Sequence, residues 1–284
     1  VGSEMCIRDR CKISKISGML NGTSNFILSN MEEGMEFEST LKLAQEKGYA
    51  EPDPSFDIDG TDAAHKIGIL SSLAYGSSLP PKDFYIEGIN GIHKDDFKYA
   101  YEMGYTIKHL AIAKSTNNTI DLRAHPSLVK LDSYLANLKG VRNGIEVETD
   151  LLGTLHIAGS GAGQEATASG VISDLIYLSD SKIREVNNIN ESIELIDFID
   201  LDFQYYFYIE ASDVSGVMAS ISSIFANKDV SIESISQKEN LNDDLVPIII
   251  ITDPFKEKDY QELIDNLLEL DSVNKIRSIR IEPQ

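Results

Sequence analysis

Thiols are scarce in this chain of 284 residues: Cys6 and Cys11 are its two cysteines. Neither has a second Cys or a His at zinc-ligand spacing, which argues against a disulfide framework and a structural zinc. No metal is expected, and so few thiols suit a reducing compartment, so a cytoplasmic protein is expected. Cationic side chains are also in short supply. With 25 Lys and Arg against 46 Asp and Glu, the formal net charge is -21, and a phosphate backbone is held by clustered cations. Nucleic acid is therefore not an expected partner. From Phe203 onward the chain carries 7 basic and 15 acidic residues, so neither part is a basic tail. Long apolar runs are missing as well. A stretch such as Val246 to Ile251 falls far short of the roughly 20 residues that cross a bilayer, and the first residues lack an apolar signal core. A soluble chain that is not secreted and has no membrane partner is expected.

What is present is the profile of a folded protein: 42% hydrophobic, 25% charged and 8% aromatic residues, with length for about two domains. Residues 1–11 have no convincing period and are expected to be an assembly artefact or a disordered leader on a chain truncated at its N-terminus. Lys12 to Gly18 alternates apolar and polar residues and reads as a strand. Asn21-Gly-Thr-Ser supplies a turn and an N-cap for a helix over 25–33, and a second helix over 38–47 ends at Gly48. The proline- and acid-rich loop GYAEPDPSFDIDG reads as non-helical. A helix over 61–75 follows, with Ala63, Ala64, Ile67, Leu70, Leu73 and Ala74 as its buried stripe.

Strands are then expected at 106–113 and 119–125, a helix at 131–138 and a hairpin at 144–159, which makes the region α+β rather than a βαβ series. Gly159-Ser-Gly-Ala-Gly163 opens a helix to about Leu178. An Asn-rich connector runs from Ser179 to about Asp202, and from Phe203 the order βαββαβ is ferredoxin-like.

Three features carry chemistry. The loop over 48–62 gathers Glu51, Asp53, Asp57, Asp59 and Asp62. An EF-hand beginning at Ser55 would put its bidentate ligand at Lys66, and an ammonium cannot ligate a cation. The remaining readings are a solvated acidic loop or a pocket for a substrate ammonium. Asp62 and Lys66 are four apart on one helix and can interact, as a surface ion pair or as a charged cluster at a pocket rim. Gly161-Ala-Gly163-Gln-Glu-Ala166 satisfies GxGxxG/A after a strand and before a helix, with Asp180 about twenty residues on. Its readings are a tight turn, a self-contained dinucleotide unit, or a glycine-rich loop that completes a nucleotide site built mainly elsewhere. His109 and His125, in strand-like apolar settings, read as packed residues rather than ligands.

Five blocks in order, GMLNGTSNFIL (18–28), AQEKGYAEPDPSFDIDGTDAAHKIGIL (44–70), GYTIKHLA (104–111), HP (125–126) and GSGAGQEATASGVISDL (159–175), resemble homoserine dehydrogenases. The segment DVSGVMASISSIFANKDVSIESISQ is similar to the ACT regulatory domain often appended to that enzyme. The resemblance implies a catalytic and dimerisation domain over 12–180, a linker over 181–202 and an ACT domain over 203–284. It also implies that most of a Rossmann domain is absent upstream.

The activity it implies is the NAD- or NADP-dependent interconversion of L-aspartate 4-semialdehyde and L-homoserine in threonine and methionine biosynthesis. Lys66 is then the proton donor, assisted by Asp62. Glu51, the Gly48 backbone and Asp57 hold the substrate, and Gly161 and Gly163 complete the cofactor site. An amino-acid effector such as threonine is expected near Asp213 and Gly216, in a homodimer or larger homo-oligomer. The fragment alone is expected not to turn over. The alternative is an amino-acid-sensing protein whose former catalytic region is scaffold.

Overall fold

A computed structural model describes residues 11–76, 84–161, 164–180, 193–238 and 245–283. The expected leader, apart from Cys11, lies outside them, as do residues 181–192 of the expected linker and Gly163. The helices in chain order are α1 (Gly22–Glu32), α2 (Phe37–Glu46), α3 (Ser55–Ile58), α4 (Thr61–Tyr75), α5 (Lys94–Glu102), α6 (Gln164–Asp180), α7 (Val217–Asn227) and α8 (Glu257–Leu268). The strands are β1 (Ile13–Met19), β2 (Tyr85–Ile86), β3 (Tyr105–Thr116), β4 (Thr119–Lys130), β5 (Arg142–Thr149), β6 (Gly153–Ser160), β7 (Glu194–Leu195), β8 (Asp202–Ser212), β9 (Ile232–Gln237), β10 (Leu245–Thr252), β11 (Phe255–Lys256) and β12 (Val273–Ile281). Two compact units result, one drawn from 1–94, 108–125 and 132–196 and the other from 95–107, 126–131 and 197–284. Each is α+β.

In the first unit the strands run β6-β5-β1-β3-β4. Neighbours β6/β5, β5/β1 and β1/β3 are antiparallel, whereas β2 and β7 add to β4 in parallel, so the sheet is mixed. Asn117 and Asn118, both at positive φ, form the two-residue turn between β3 and β4, and Asn tolerates that conformation better than most residues. Helix α4 lays Ala63, Ala64 and Ile67 on Ile16, Ala111, Ile120, Leu122 and Val147.

Three local expectations fail for identifiable reasons. Leu73 is 73% exposed while Ser71 is buried, because at 3.6 residues per turn Leu73 lies roughly 120° from the centre of the stripe. A single helical turn, α3, interrupts the acidic loop: Pro54 sits at its N-cap and the Asp53 carboxylate accepts from Ser55 N at 3.2 Å and Ser55 Oγ at 2.6 Å. Proline is tolerated at a helix start, where its missing N–H would have no partner. Residues 131–138 form turns and a short 3-10 segment, Leu135–Asn137, instead of a helix. There Ser133 Oγ accepts from Ala136 N and Asn137 Nδ2 donates to Ser133 O, side-chain bonds that compete with the helical ladder.

The second unit contains β8-α7-β9-β10-α8-β12, with spatial strand order β12-β8-β10-β9 and antiparallel neighbours throughout. That is the βαββαβ order expected from Phe203 onward. Phe207, Ile209, Ile248 and Ile250 meet Ile221, Phe225, Leu263 and Leu267 of the two helices in its core. Its buried charges are paired. Arg277 forks onto Asp96 at 2.9–3.0 Å and lies 3.8 Å over the Tyr208 ring, and Arg280 meets Glu257 at 2.6 Å.

Lys108 on β3 is different. It is fully buried, and its Nζ donates to Leu138 O at 3.0 Å. Burial, with Lys139 adding to it and Glu32 opposing, pushes its pKa down to about 8 from 10.5. Below about pH 8 the amine is charged in folded and unfolded chains alike. Between about 8 and 10.5 the unfolded chain keeps a proton that the folded chain has released, so this group makes stability rise with pH. Lys108→Met removes that dependence. The stability difference between the variant and the wild type, measured by urea unfolding, should move by about 3 kcal/mol in favour of the wild type between pH 7 and 10.5.

Candidate active site

The approach to the site begins with how α2 stops. Gly48, at φ 72°, takes the left-handed conformation, its N–H bonds Gln45 O at 3.0 Å and Tyr49 N bonds Ala44 O at 2.9 Å, a Schellman ending. The chain thus turned brings Tyr49 to α1: Thr23 Oγ1 donates to Tyr49 O at 2.7 Å, and the Phe26 and Tyr49 rings meet edge to face at 5.1 Å. Beyond α3, Gly60 at φ 84° forms the N-cap of α4. Here the backbones are pressed together. A Cβ on Gly88 would fall 2.3 Å from Ile58 O and 2.7 Å from Asp59 Cα, and one on Gly60 would fall 2.9 Å from His109 Nε2.

This folding brings the N-termini of α1 and α4 together. Asn21, 5% exposed, caps α1 by accepting from Ser24 N through Oδ1 at 2.7 Å. Its Nδ2 donates to Asp57 Oδ1 and to Asp62 Oδ2, both at 2.7 Å. The same Asp62 Oδ2 accepts from Lys66 Nζ at 2.7 Å, and that ammonium also donates to Leu20 O at 2.9 Å. The Lys66 side chain remains 44% exposed against 18% for Asp62. The ammonium is therefore oriented by two acceptors while part of the side chain stays open to a small molecule.

Leu20 O has a second donor, Asn143 Nδ2 at 3.2 Å. Asn143 lies directly under the glycine segment: a Cβ on Gly161 would fall 2.1–2.6 Å from its amide atoms. The Asn143 Oδ1 is buried and has no hydrogen-bond partner among the described residues. An exposed glycine backbone above an unsatisfied acceptor suits a ligand that carries N–H donors, so the residues present fit an amide-bearing cofactor.

Of the residues singled out from sequence, Asp57, Asp62 and Lys66 come together. The Glu51 carboxylate joins no hydrogen bond or ion pair among the described residues, although its carbonyl accepts from Gln45 Nε2 at 3.1 Å. Gly48 acts locally as the helix ending, Gly161 faces Asn143, and Gly163 is not described. In the second unit Gly216, at φ 96°, is the N-cap of α7, and Asp213 accepts from Gln237 Nε2 at 3.4 Å. His109 and His125 are buried. Burial lowers the His109 pKa, and its Nε2 lies 2.9 Å from Glu87 O. Sequence reasoning missed the tertiary part of Asn21, the Leu20 carbonyl and Asn143. The only signal for Asn21 was its place before a helix, which accounts for the cap and not for the carboxylates.

An oriented, half-open ammonium flanked by carboxylates thus stands on an α+β unit with a mixed sheet. The fold matches the homoserine dehydrogenase of Thiobacillus denitrificans with a TM-score of 0.87 at 37% identity, covering 98% of this chain and 66% of that one. The family model described as homoserine dehydrogenase matches residues 5–176, and the chain belongs to that family. The curated homoserine dehydrogenase of Neisseria gonorrhoeae is 38% identical over 95% of this chain and 65% of its own length; the chain thus spans just under two thirds of such relatives. A hyperthermophilic archaeal homoserine dehydrogenase mutant, solved in complex with NADPH, aligns with a TM-score of 0.51 at 28% identity, covering 63% of this chain and 53% of its own.

The close backbone contact under the acidic loop can be tested. Gly88→Ala should cost about 1–3 kcal/mol, since its Cβ meets backbone that must move. Gly91→Ala, whose Cβ meets nothing within 4 Å, should stay within about 0.5 kcal/mol of the wild type. Urea unfolding of the two variants measures the contrast.

Proposed function

We propose that this chain is the catalytic, dimerisation and regulatory part of an NAD(P)-dependent homoserine dehydrogenase, which interconverts L-aspartate 4-semialdehyde and L-homoserine. The observation that carries the reading is the Lys66 ammonium held between Asp62 Oδ2 and Leu20 O within a chain that belongs to this family. Reduction of an aldehyde adds a hydride to carbon and a proton to oxygen. The nicotinamide cofactor, when bound, supplies the hydride; Gly161, Gly163 and Asn143 are the residues of this chain that would hold it.

Lys66 gives its proton to the forming alkoxide and is reprotonated from solvent, while Asp62 keeps the amine aimed. Asp57 and Glu51 offer carboxylates to the substrate ammonium, and the backbone at Gly48 shapes the wall beside them. In the reverse direction the neutral amine of Lys66 takes the alcohol proton. The archaeal homoserine dehydrogenase mutant was solved in complex with NADPH, and the same class of cofactor is assigned to this chain.

A dinucleotide-binding domain outside this chain would complete the enzyme. That reading is supported by α6, where Val171, Ile172, Leu175, Ile176, Tyr177 and Leu178 are each more than half exposed. A helix apolar on several faces needs neighbours. The second unit is proposed to be an ACT module that binds an amino acid such as threonine beside Asp213 and Gly216. Strands β6 and β9 end their sheets, and pairing of two copies would cover such edges. No described helix is long and apolar enough to cross a membrane, and a cytoplasmic enzyme is proposed. Family membership weighs against a sensing protein without catalysis.

The test joins the chain to its upstream coding sequence and follows NADPH oxidation with aspartate semialdehyde. Turnover is expected, and its absence in a folded full-length protein overturns the reading. Lys66→Arg should lower kcat by at least about 100-fold with small effect on stability, because a guanidinium hardly releases a proton. Near-normal turnover by that variant would remove Lys66 from the role of proton donor.

A further inference from the structure

We propose that Asn21 is a positioning residue of the Lys66 site, a neutral bridge that keeps Asp57 and Asp62 convergent. This rests on the proposed role of Lys66 and extends it to a residue that the reaction itself does not require.

The argument is one of hydrogen-bond capacity. A side-chain amide has two N–H donors and one carbonyl acceptor. Here one nitrogen lies 2.7 Å from Asp57 Oδ1 and from Asp62 Oδ2, so both donors are used. The oxygen accepts from Ser24 N at 2.7 Å, so the amide cannot be turned over without aiming its oxygen at two carboxylates and losing the helix cap. Its orientation is thus imposed by the backbone of α1. Burial reinforces this, since Asn21 is 5% exposed.

The charges gathered here are few. Helix α3 contributes Asp57, and α4 contributes Asp62 and Lys66. Helix α1 contributes the neutral Asn21 and Ser24, whose Oγ donates to Asp57 O at 3.0 Å, and β5 contributes the neutral Asn143 through the shared Leu20 carbonyl. Two carboxylates bound to one nitrogen repel each other, and only one of them is paired with Lys66. Sharing a proton or capturing a second cation would relieve that repulsion, and either would alter the partner of Lys66. The amide offers a donor to each carboxylate and carries no charge of its own, so Asp62 stays aimed at Lys66 and Asp57 stays available to a substrate ammonium.

Ser and Asp both cap helices well, so Asn21→Ser and Asn21→Asp keep the start of α1 while removing the bridge. In the full-length enzyme, Asn21→Ser should lower kcat by roughly 10- to 100-fold with a smaller change in KM. Asn21→Asp places a third carboxylate in the cluster and should shift the acid limb of kcat/KM upward by about one pH unit or more. Both should unfold within a few degrees of the wild type. Unchanged kcat and pH profile in both variants would overturn the proposal. So would a loss of stability in both that matches the loss of activity, since Asn21 would then serve the fold alone.

An inactive wild-type enzyme would count against the proposed function and not against this bridge. Carboxyl NMR titration of the chain reads the bridge without turnover: Asn21→Asp must raise the titration midpoint of Asp57 or Asp62, and no movement of either overturns it.

Discussion

Asn21 ties a helix start to a cluster of charged side chains. Its oxygen starts α1, and its nitrogen gathers carboxylates that arrive from 36 and 41 residues further along the chain. Everything that delivers those carboxylates is backbone work. The Schellman turn at Gly48 folds the chain back from α2, the single turn of α3 lifts Asp57, and Gly60 starts α4 so that Asp62 and Lys66 face the same place. The adjoining residue completes the arrangement, because Leu20 O receives Lys66 Nζ and Asn143 Nδ2 together. The turn from Leu20 to Ser24 is therefore the point where the two carboxylates, the ammonium and the glycine segment are held in one frame. A site built on a helix start and a strand end inherits their rigidity.

Local chemistry was readable and long-range closure was not. The four-residue spacing of Asp62 and Lys66, the cap at Asn21, the helix stop at Gly48 and the βαββαβ order of the second unit each follow from residues within one or two turns of each other. The bonds from Asn21 to Asp57 and Asp62, and from Lys66 to Leu20 O, join positions that no periodicity relates. Short-range rules also failed where side chains outbid propensity: Ser133 and Asn137 turned a helical pattern into turns, and Asp53, accepting from Ser55, supports a helical turn inside a segment whose prolines argued against one. Leu73 was misplaced by composition, since an apolar residue was assigned to the stripe although its angle lay outside it.

The two units treat buried charge differently. In the second, Arg277 with Asp96 and Arg280 with Glu257 are matched pairs, and both arginines sit on β12. Removing one member would strand the other in low dielectric, so these pairs are costly to break even where their net contribution to stability is small. They fasten the last strand to α5 and α8. In the first unit Lys108 is buried with a carbonyl for its partner, and burial loosens its hold on the proton without removing it at neutral pH.

That contrast bears on which lysine would transfer a proton in the proposed reaction. A strongly shifted titration is a common mark of a functional group, and by that criterion alone Lys108, at about 8, would be chosen over Lys66. Access decides otherwise. Lys108 is sealed, with no exposed surface, and a donor must reach the reacting oxygen and then be recharged from water. Lys66 is 44% exposed at its side chain, yet its ammonium is aimed by two acceptors, Asp62 Oδ2 and Leu20 O. General acid catalysis requires geometry before it requires a tuned acidity. The open, oriented ammonium satisfies the first requirement, whereas the buried one meets only the second.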